Sequence, residues 1–162
     1  AWYAEELVAH GDRVLGVARE TLGGAAGVVL TIKVAGIHWH YAHRSHAAEL
    51  TAGYFNTDAG EGYGPLCRLC RRHGAMLTFT CAEMCDAQHD PQAACSPERL
   101  LRDLRLAAAQ HGLPLAGENA LPVFFPGGLD ACALDRIVRN AWARDLADAA
   151  NDPTAAPSTA PP

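Results

Sequence analysis

The chain has 162 residues, with 13 Lys+Arg against 18 Asp+Glu, a formal net charge of -5, 49% hydrophobic and 19% charged residues. That is the length of about one domain and the composition of an ordinary globular one. The acidic balance argues against a nucleic-acid partner, which calls for clustered positive charge, and no run of about 18 apolar residues is present to make a membrane span.

In chain order, Ala1 to about Thr21 reads as a helix, with Trp2, Leu7, Val8, Val14, Leu15 and Ala18 near a 3.6-residue period and Gly23-Gly24 as its stop. The apolar, β-branched run GVVLTIKVAG predicts a strand from about Val28 to Val34, buried on both faces. A second helix is predicted over about Pro65 to His73, closed by Gly74, followed by a short strand at 75–80. Ser96-Pro97-Glu98 combines a serine cap, a proline at the first helical position and an acid at the positive end of the dipole. The helix it starts carries Leu100, Leu101, Leu104, Ala107 and Ala108 inward and stops at Gly112, ahead of a third strand at 113–117. A last helix is predicted over about Leu129 to Ala149, with Leu134, Ile137, Val138, Ala141 and Trp142 on its apolar stripe. The division expected is a β/α domain over 1–150 and a disordered Pro/Ala-rich tail over 151–162.

Strict αβαβαβα alternation predicts parallel β/α units with right-handed crossovers. Three strands neither close a barrel nor make a good open sheet, so the order predicts part of a larger β/α fold. The opening Ala1 is likewise what a processed or partial chain shows, and the charged, amphipathic first residues do not read as a secretory leader. In such architectures the loops after the strand C-termini carry the chemistry. Two of those loops are long and rich in His, Trp, Tyr, Asp and Glu.

Lys33, the chain's single lysine, sits inside the first strand, where a buried ammonium needs an acceptor or a ligand; a surface lysine at a frayed edge is the other reading. His38 and Trp39 offer a hydrogen-bonding edge beside a flat apolar platform, although the same pair also suits ordinary core packing. Glu83 and Glu118 follow the second and third strands, and two carboxylates on successive strand ends suggest a paired-carboxylate glycosidase; either acid also fits a salt bridge. A metal site competes with this reading, since His38, His40, His43 and His46 cluster, and Cys67, Cys70, Cys81 and Cys85 could supply thiolates. Cys67 and Cys70, however, have the spacing of neighbours within a helix and lack the turn a zinc knuckle uses, so the cysteines read as small buried hydrophobes and no metal is expected.

Seven collinear blocks carry a resemblance: WY…L…HGD (2–12), KVAGIHW (33–39), SHAAELTAGY (45–54), GY…R…RHGA (62–75), FTCAEM (79–84), SPExL (96–100) and AGENALP (116–122). Over about residues 2–125 the chain resembles β-amylase, glycoside hydrolase family 14, whose members release maltose from the non-reducing ends of α-1,4-glucans. The resemblance implies part of a (β/α)8 barrel, about the fifth to seventh units, and no metal or organic cofactor. It implies that Glu118 is the general base, that Thr80 hydrogen-bonds near it, and that Lys33, His38, Asn119 and Ala120 bind glucose, with Leu121 as an apolar wedge. The family's general acid comes from an earlier strand, N-terminal to these residues. On that account Glu83 supports the site from outside it, and the isolated chain is inactive. Its partners would be starch and maltose, its compartment plastid or cytosol.

His40 stands where a second tryptophan is usual, Cys85 where arginine is usual, and Val123-Phe124-Phe125 where an Arg-Tyr-Asp run is usual. After about residue 126 the match fades, and the eighth strand with its substrate arginine finds no counterpart. A second reading is therefore a non-catalytic glucan-binding or regulatory relative that keeps Lys33, His38 and Thr80 without hydrolysis.

Overall fold

The computed structural model describes residues 2–22, 25, 27–41 and 62–142. The helix α1 (Trp2–Leu22) leads to β1 (Thr31–Val34), α2 (Tyr63–His73), β2 (Met76–Phe79), two short 3-10 turns (Asp86–Gln88 and Pro91–Ala93), α3 (Pro97–Gln110), β3 (Leu115–Gly117), a hairpin of β4 (Phe124–Phe125) and β5 (Gly128–Leu129), and α4 (Ala131–Trp142). The main sheet has the order β1-β2-β3 and is parallel throughout, so the expected alternation and parallel pairing hold. The hairpin, turning at Gly127 with φ +106°, was not expected. The expected tail at 151–162 and the SHAAELTAGY block lie outside the described residues. Among the described residues no helix is long and apolar enough to cross a membrane.

The helices α2 and α3 cross between successive strands and cover one face of the sheet. Leu77 and Phe79 of β2 point into that layer and are fully buried with Leu100 and Leu104 of α3 and Cys67 and Cys70 of α2. Burying each large side chain of this kind is worth about 1.5–3 kcal/mol. Ile32 and Val34 of β1 and Leu115 of β3 pack against the same cluster. The alternate residues, Thr31, Lys33 and Thr78, face the other way and are exposed or half-buried. The expectation of strands buried on both faces is therefore corrected: an apolar run with β-branched residues reads as two-sided, yet here the helices cover one side only.

Helix ends obey local chemistry. Gly74 takes a left-handed conformation with φ +63°, which lets the Ala75 N–H return to the Cys70 carbonyl at 2.9 Å and closes α2. At the start of α3, Ser96 does not cap its own helix. Asp86 does so from ten residues upstream, accepting the Glu98 N–H at 3.0 Å and the Ser96 hydroxyl at 3.0 Å. The Glu98 carboxylate in turn accepts the Asp86 N–H at 2.8 Å, a reciprocal box closed across the loop.

Two apolar stripes differ from expectation. On α1 only Leu15 is buried, with Val8 packed alongside, while Trp2, Leu7 and Val14 are exposed. On α4 the buried residue is Ala133, and Leu134 and Val138 are exposed; the helix is held instead by polar contacts from Arg136 and Asn140.

Candidate active site

The register explains which side chains meet. Lys33 pairs with Thr78, and Thr78 with Ala116, so these three share the uncovered face of the sheet. Thr80 and Glu118 lie two residues beyond Thr78 and Ala116, where the period of two returns them to that face. The outcome is direct: Lys33 Nζ donates to Glu118 Oε1 at 2.8 Å, bridging β1 and β3 over the top of β2. Both side chains are substantially exposed, at 58% and 44%. Lys33 is thus not the buried lysine expected from the strand pattern, although the acceptor it was expected to need is present.

Glu118 is fixed by its backbone, its N–H donating to Phe79 O at 2.8 Å and its carbonyl accepting the Ala82 N–H at 3.2 Å. Thr80 Oγ1 accepts the Gly36 N–H at 2.8 Å, which ties the end of β2 to the turn after β1. A Cβ at Gly36 would stand 2.6 Å from Cys81 Sγ and 2.8 Å from Thr80 Oγ1, so this close approach requires glycine. Cys81 adopts φ +73°, a costly conformation for a residue with a side chain.

Glu83 does not face the uncovered side. It is buried at 3% exposure, and its two oxygens accept the Ala120 N–H at 3.0 Å and the Leu121 N–H at 2.6 Å. This overturns the pairing of Glu83 with Glu118 as two catalytic carboxylates and agrees with a supporting role. The carboxylate holds the segment carrying Asn119, Ala120 and Leu121, all of which are exposed. From the other side, Arg136 Nε of α4 donates to the Glu83 carbonyl at 2.5 Å and Asn140 Nδ2 to the Ala82 carbonyl at 2.8 Å. The loop is therefore braced by α4.

His38 is buried, and its Nδ1–H donates to Gly36 O at 2.9 Å. Burial holds its pKa below the ordinary histidine value, against the opposing pull of that carbonyl. Its ring meets Trp39 edge-on and His89 at a tilt, with centroids 5.6 and 4.9 Å away. Among the described residues no hydrogen bond joins His38 to Glu118, so the predicted residues form two neighbouring groups, linked through Gly36 and Thr80. Of the metal candidates read from sequence, His43 and His46 lie outside the described residues, and Cys67 and Cys70 are fully buried in α2.

A parallel β/α layer with an ammonium–carboxylate pair at its strand ends defines an incomplete piece of a β/α fold. The Glycosyl hydrolase family 14 profile matches residues 1–144. Beta-amylase 1, chloroplastic, of Oryza sativa subsp. japonica is 49% identical over 91% of this chain and 27% of its own length. The Beta-amylase of Zea mays is 44% identical over 86% of this chain and 28% of its own length. The crystal structure of the catalytic domain of beta-amylase from Paenibacillus polymyxa matches with a TM-score of 0.71 at 28% identity, covering 86% of this chain and 31% of that one. The chain belongs to glycosyl hydrolase family 14. It spans about a quarter of the length of the curated relatives it matches.

Proposed function

We propose that these residues form the base-bearing part of a β-amylase active site, which releases maltose from the non-reducing ends of α-1,4-glucans by inverting hydrolysis. The observation that carries this reading is the Lys33–Glu118 pair, on strand ends of a chain that belongs to this family. Glu118 acts as general base: half-exposed and fixed by its backbone, it takes a proton from a water that attacks the anomeric carbon. A protonated carboxyl on the opposite face of the sugar gives its proton to the glycosidic oxygen, and about 6.5–9.5 Å between the two groups leaves room for that water. By resemblance the acid comes from outside residues 1–162.

An ammonium has three donors, and Glu118 engages Lys33 through one contact; sugar hydroxyls are natural acceptors for the others. His38 and the segment Asn119–Ala120–Leu121 supply further glucose contacts, with Leu121, 54% exposed, packing on the sugar faces. Thr80 orders the base's surroundings through Gly36. Relatives from Oryza sativa and Arabidopsis thaliana are named chloroplastic, which supports a plastid setting.

The test has two arms. The 162-residue chain incubated with soluble starch releases no maltose, since one of the two proton-transfer groups is missing. In the full-length protein, Glu118→Gln abolishes turnover and preserves maltose binding. A Gln variant as active as the wild type would falsify the assignment, and maltose binding by a full-length protein without any turnover would favour the non-catalytic glucan binder.

A further inference from the structure

At the edge of the proposed glucan site, and sharing His38 with it, three side chains from separate segments converge: His38 after β1, His89 between the two 3-10 turns, and Cys95 just before α3. One ligating atom from each lies within 4.8 Å of the others. We propose that His38, His89 and Cys95 form a binding site for a borderline divalent cation of the zinc class.

The scaffold is built before any ion arrives. The Ser96 N–H donates to the His38 carbonyl at 2.9 Å, and the His40 N–H donates to the Ala93 carbonyl at 2.6 Å. These bonds clamp the turn after β1 against the segment leading into α3. Gly36 O accepts from His38 Nδ1, which puts that ring's proton on Nδ1 and leaves the Nε2 lone pair as the ligating one. A carbonyl behind a ligating imidazole is the usual orienting contact in metal sites. His89 Nε2 is buried and has no hydrogen-bond partner among the described residues. A buried polar atom of this kind calls for a ligand.

Two imidazoles and a thiolate suit zinc, cobalt or copper, and suit magnesium or calcium poorly. Tetrahedral zinc with nitrogen bonds near 2.0 Å and sulfur bonds near 2.3 Å would bring the ligand atoms to about 3.3–3.6 Å from one another. Closing from the present spacing takes about an ångström of movement at the side-chain tips. Three protein ligands leave the fourth position for water, an arrangement distinct from a closed structural zinc site. The competing account is plain packing of two rings and a thiol, and it predicts no affinity for metal.

The experiment titrates the 162-residue chain with Co2+ and follows the visible bands and the sulfur-to-cobalt charge-transfer band. One equivalent should bind, displaceable by Zn2+ and not by Mg2+. Cys95→Ser should remove the charge-transfer band, and His89→Ala should weaken binding at least tenfold, with Cys132→Ser as an unaffected control; far-UV circular dichroism checks that each variant keeps its fold. Zinc-edge X-ray absorption on the wild-type chain should show one sulfur and three nitrogen or oxygen neighbours, with the outer-shell scattering of two imidazoles, a readout independent of any variant. Absence of binding below millimolar Co2+, a spectrum indifferent to both substitutions, or coordination by two or more sulfurs overturns the proposal. A cation on His38 Nε2 excludes a glucose contact at that atom, but starch hydrolysis is not among these readouts, so the glucan assignment and the metal site are still tested separately.

Discussion

Lys33 and Glu118 meet at 2.8 Å although their strands are not neighbours; β2 lies between them, and the contact passes over its C-terminal end. The pair is exposed enough for water and salt to screen it, so it adds little to stability, about 0–1 kcal/mol. Its value lies in placing a cation beside the proposed base. Lys33→Met in the full-length protein should leave the thermal midpoint nearly unchanged while lowering kcat/KM for starch by about 10²-fold or more. Parallel melting curves and maltose-release kinetics check this, and a large drop in the midpoint with unchanged kinetics would contradict it.

Glu83 is the opposite case, buried and bonded to two backbone N–H groups. Hydrogen bonds to a charged group contribute about 1.5–3 kcal/mol each. Glu83→Ala should therefore destabilise the chain by about 3 kcal/mol, read as a shift of the urea midpoint. Glu83→Gln, which keeps one acceptor oxygen, should cost less and in the full-length protein reduce kcat by misplacing the 118–121 segment.

Acid should loosen the docking of α1 on α2. Asp12 accepts from His73 Nε2 at 2.7 Å and from Arg72 at 2.8 Å. The His73 hydrogen bond first, with Arg72 beside it, holds the Asp12 carboxyl below its ordinary range against a smaller effect of burial. A depressed folded-state pKa gives stability that is present above the ordinary carboxylate value and is lost as the pH falls through the depressed one. Asp12→Asn should thus lower the thermal midpoint at neutral pH and converge with the wild type as the pH falls below the depressed carboxyl value. Equal separation of the two curves at every pH would refute the linkage.

Thiol reactivity should follow burial. Burial, with Cys67 alongside, pushes the Cys70 thiol up to about 11, whereas Cys132 is exposed. Because the thiolate is the reactive form, iodoacetamide at about pH 8 should label Cys132 promptly and leave Cys67 and Cys70 untouched until denaturant is added. Peptide mass spectrometry reads the order directly.

How much was legible in the sequence follows the range of each interaction. Gly74 stopped α2 where expected, because a left-handed closing residue is a local requirement. Ser96-Pro97-Glu98 marked the start of α3 correctly, yet the capping group is Asp86, and nothing local to the helix announces a cap from across a loop. The strand-end rule found Lys33, Glu118 and Glu83 alike. It could not tell that Glu83 turns toward backbone amides while Glu118 turns toward the open face, since that choice is made by the chain around residues 120 and 121 and by Arg136 and Asn140 of α4. His89 and Cys95 went unnoticed beside the denser histidine run at 38–46. Their meeting with His38 depends on a loop fold that periodicity does not encode.

Because Glu83 grips the 118–121 segment by its main chain, the side chains of Ala120 and Leu121 are left out of the fastening, whereas Asn119 Nδ2 closes back on the Leu121 carbonyl and belongs to it. Under the proposed function, exchanging the side chains at 120 and 121 should recut the sugar-facing contour while the proposed base stays in register. If Glu118 is the base, substrate preference and proton transfer are mechanically separable within this short stretch, and a library randomised at 120 and 121 is the place to look for altered chain-length selectivity at undiminished chemical competence.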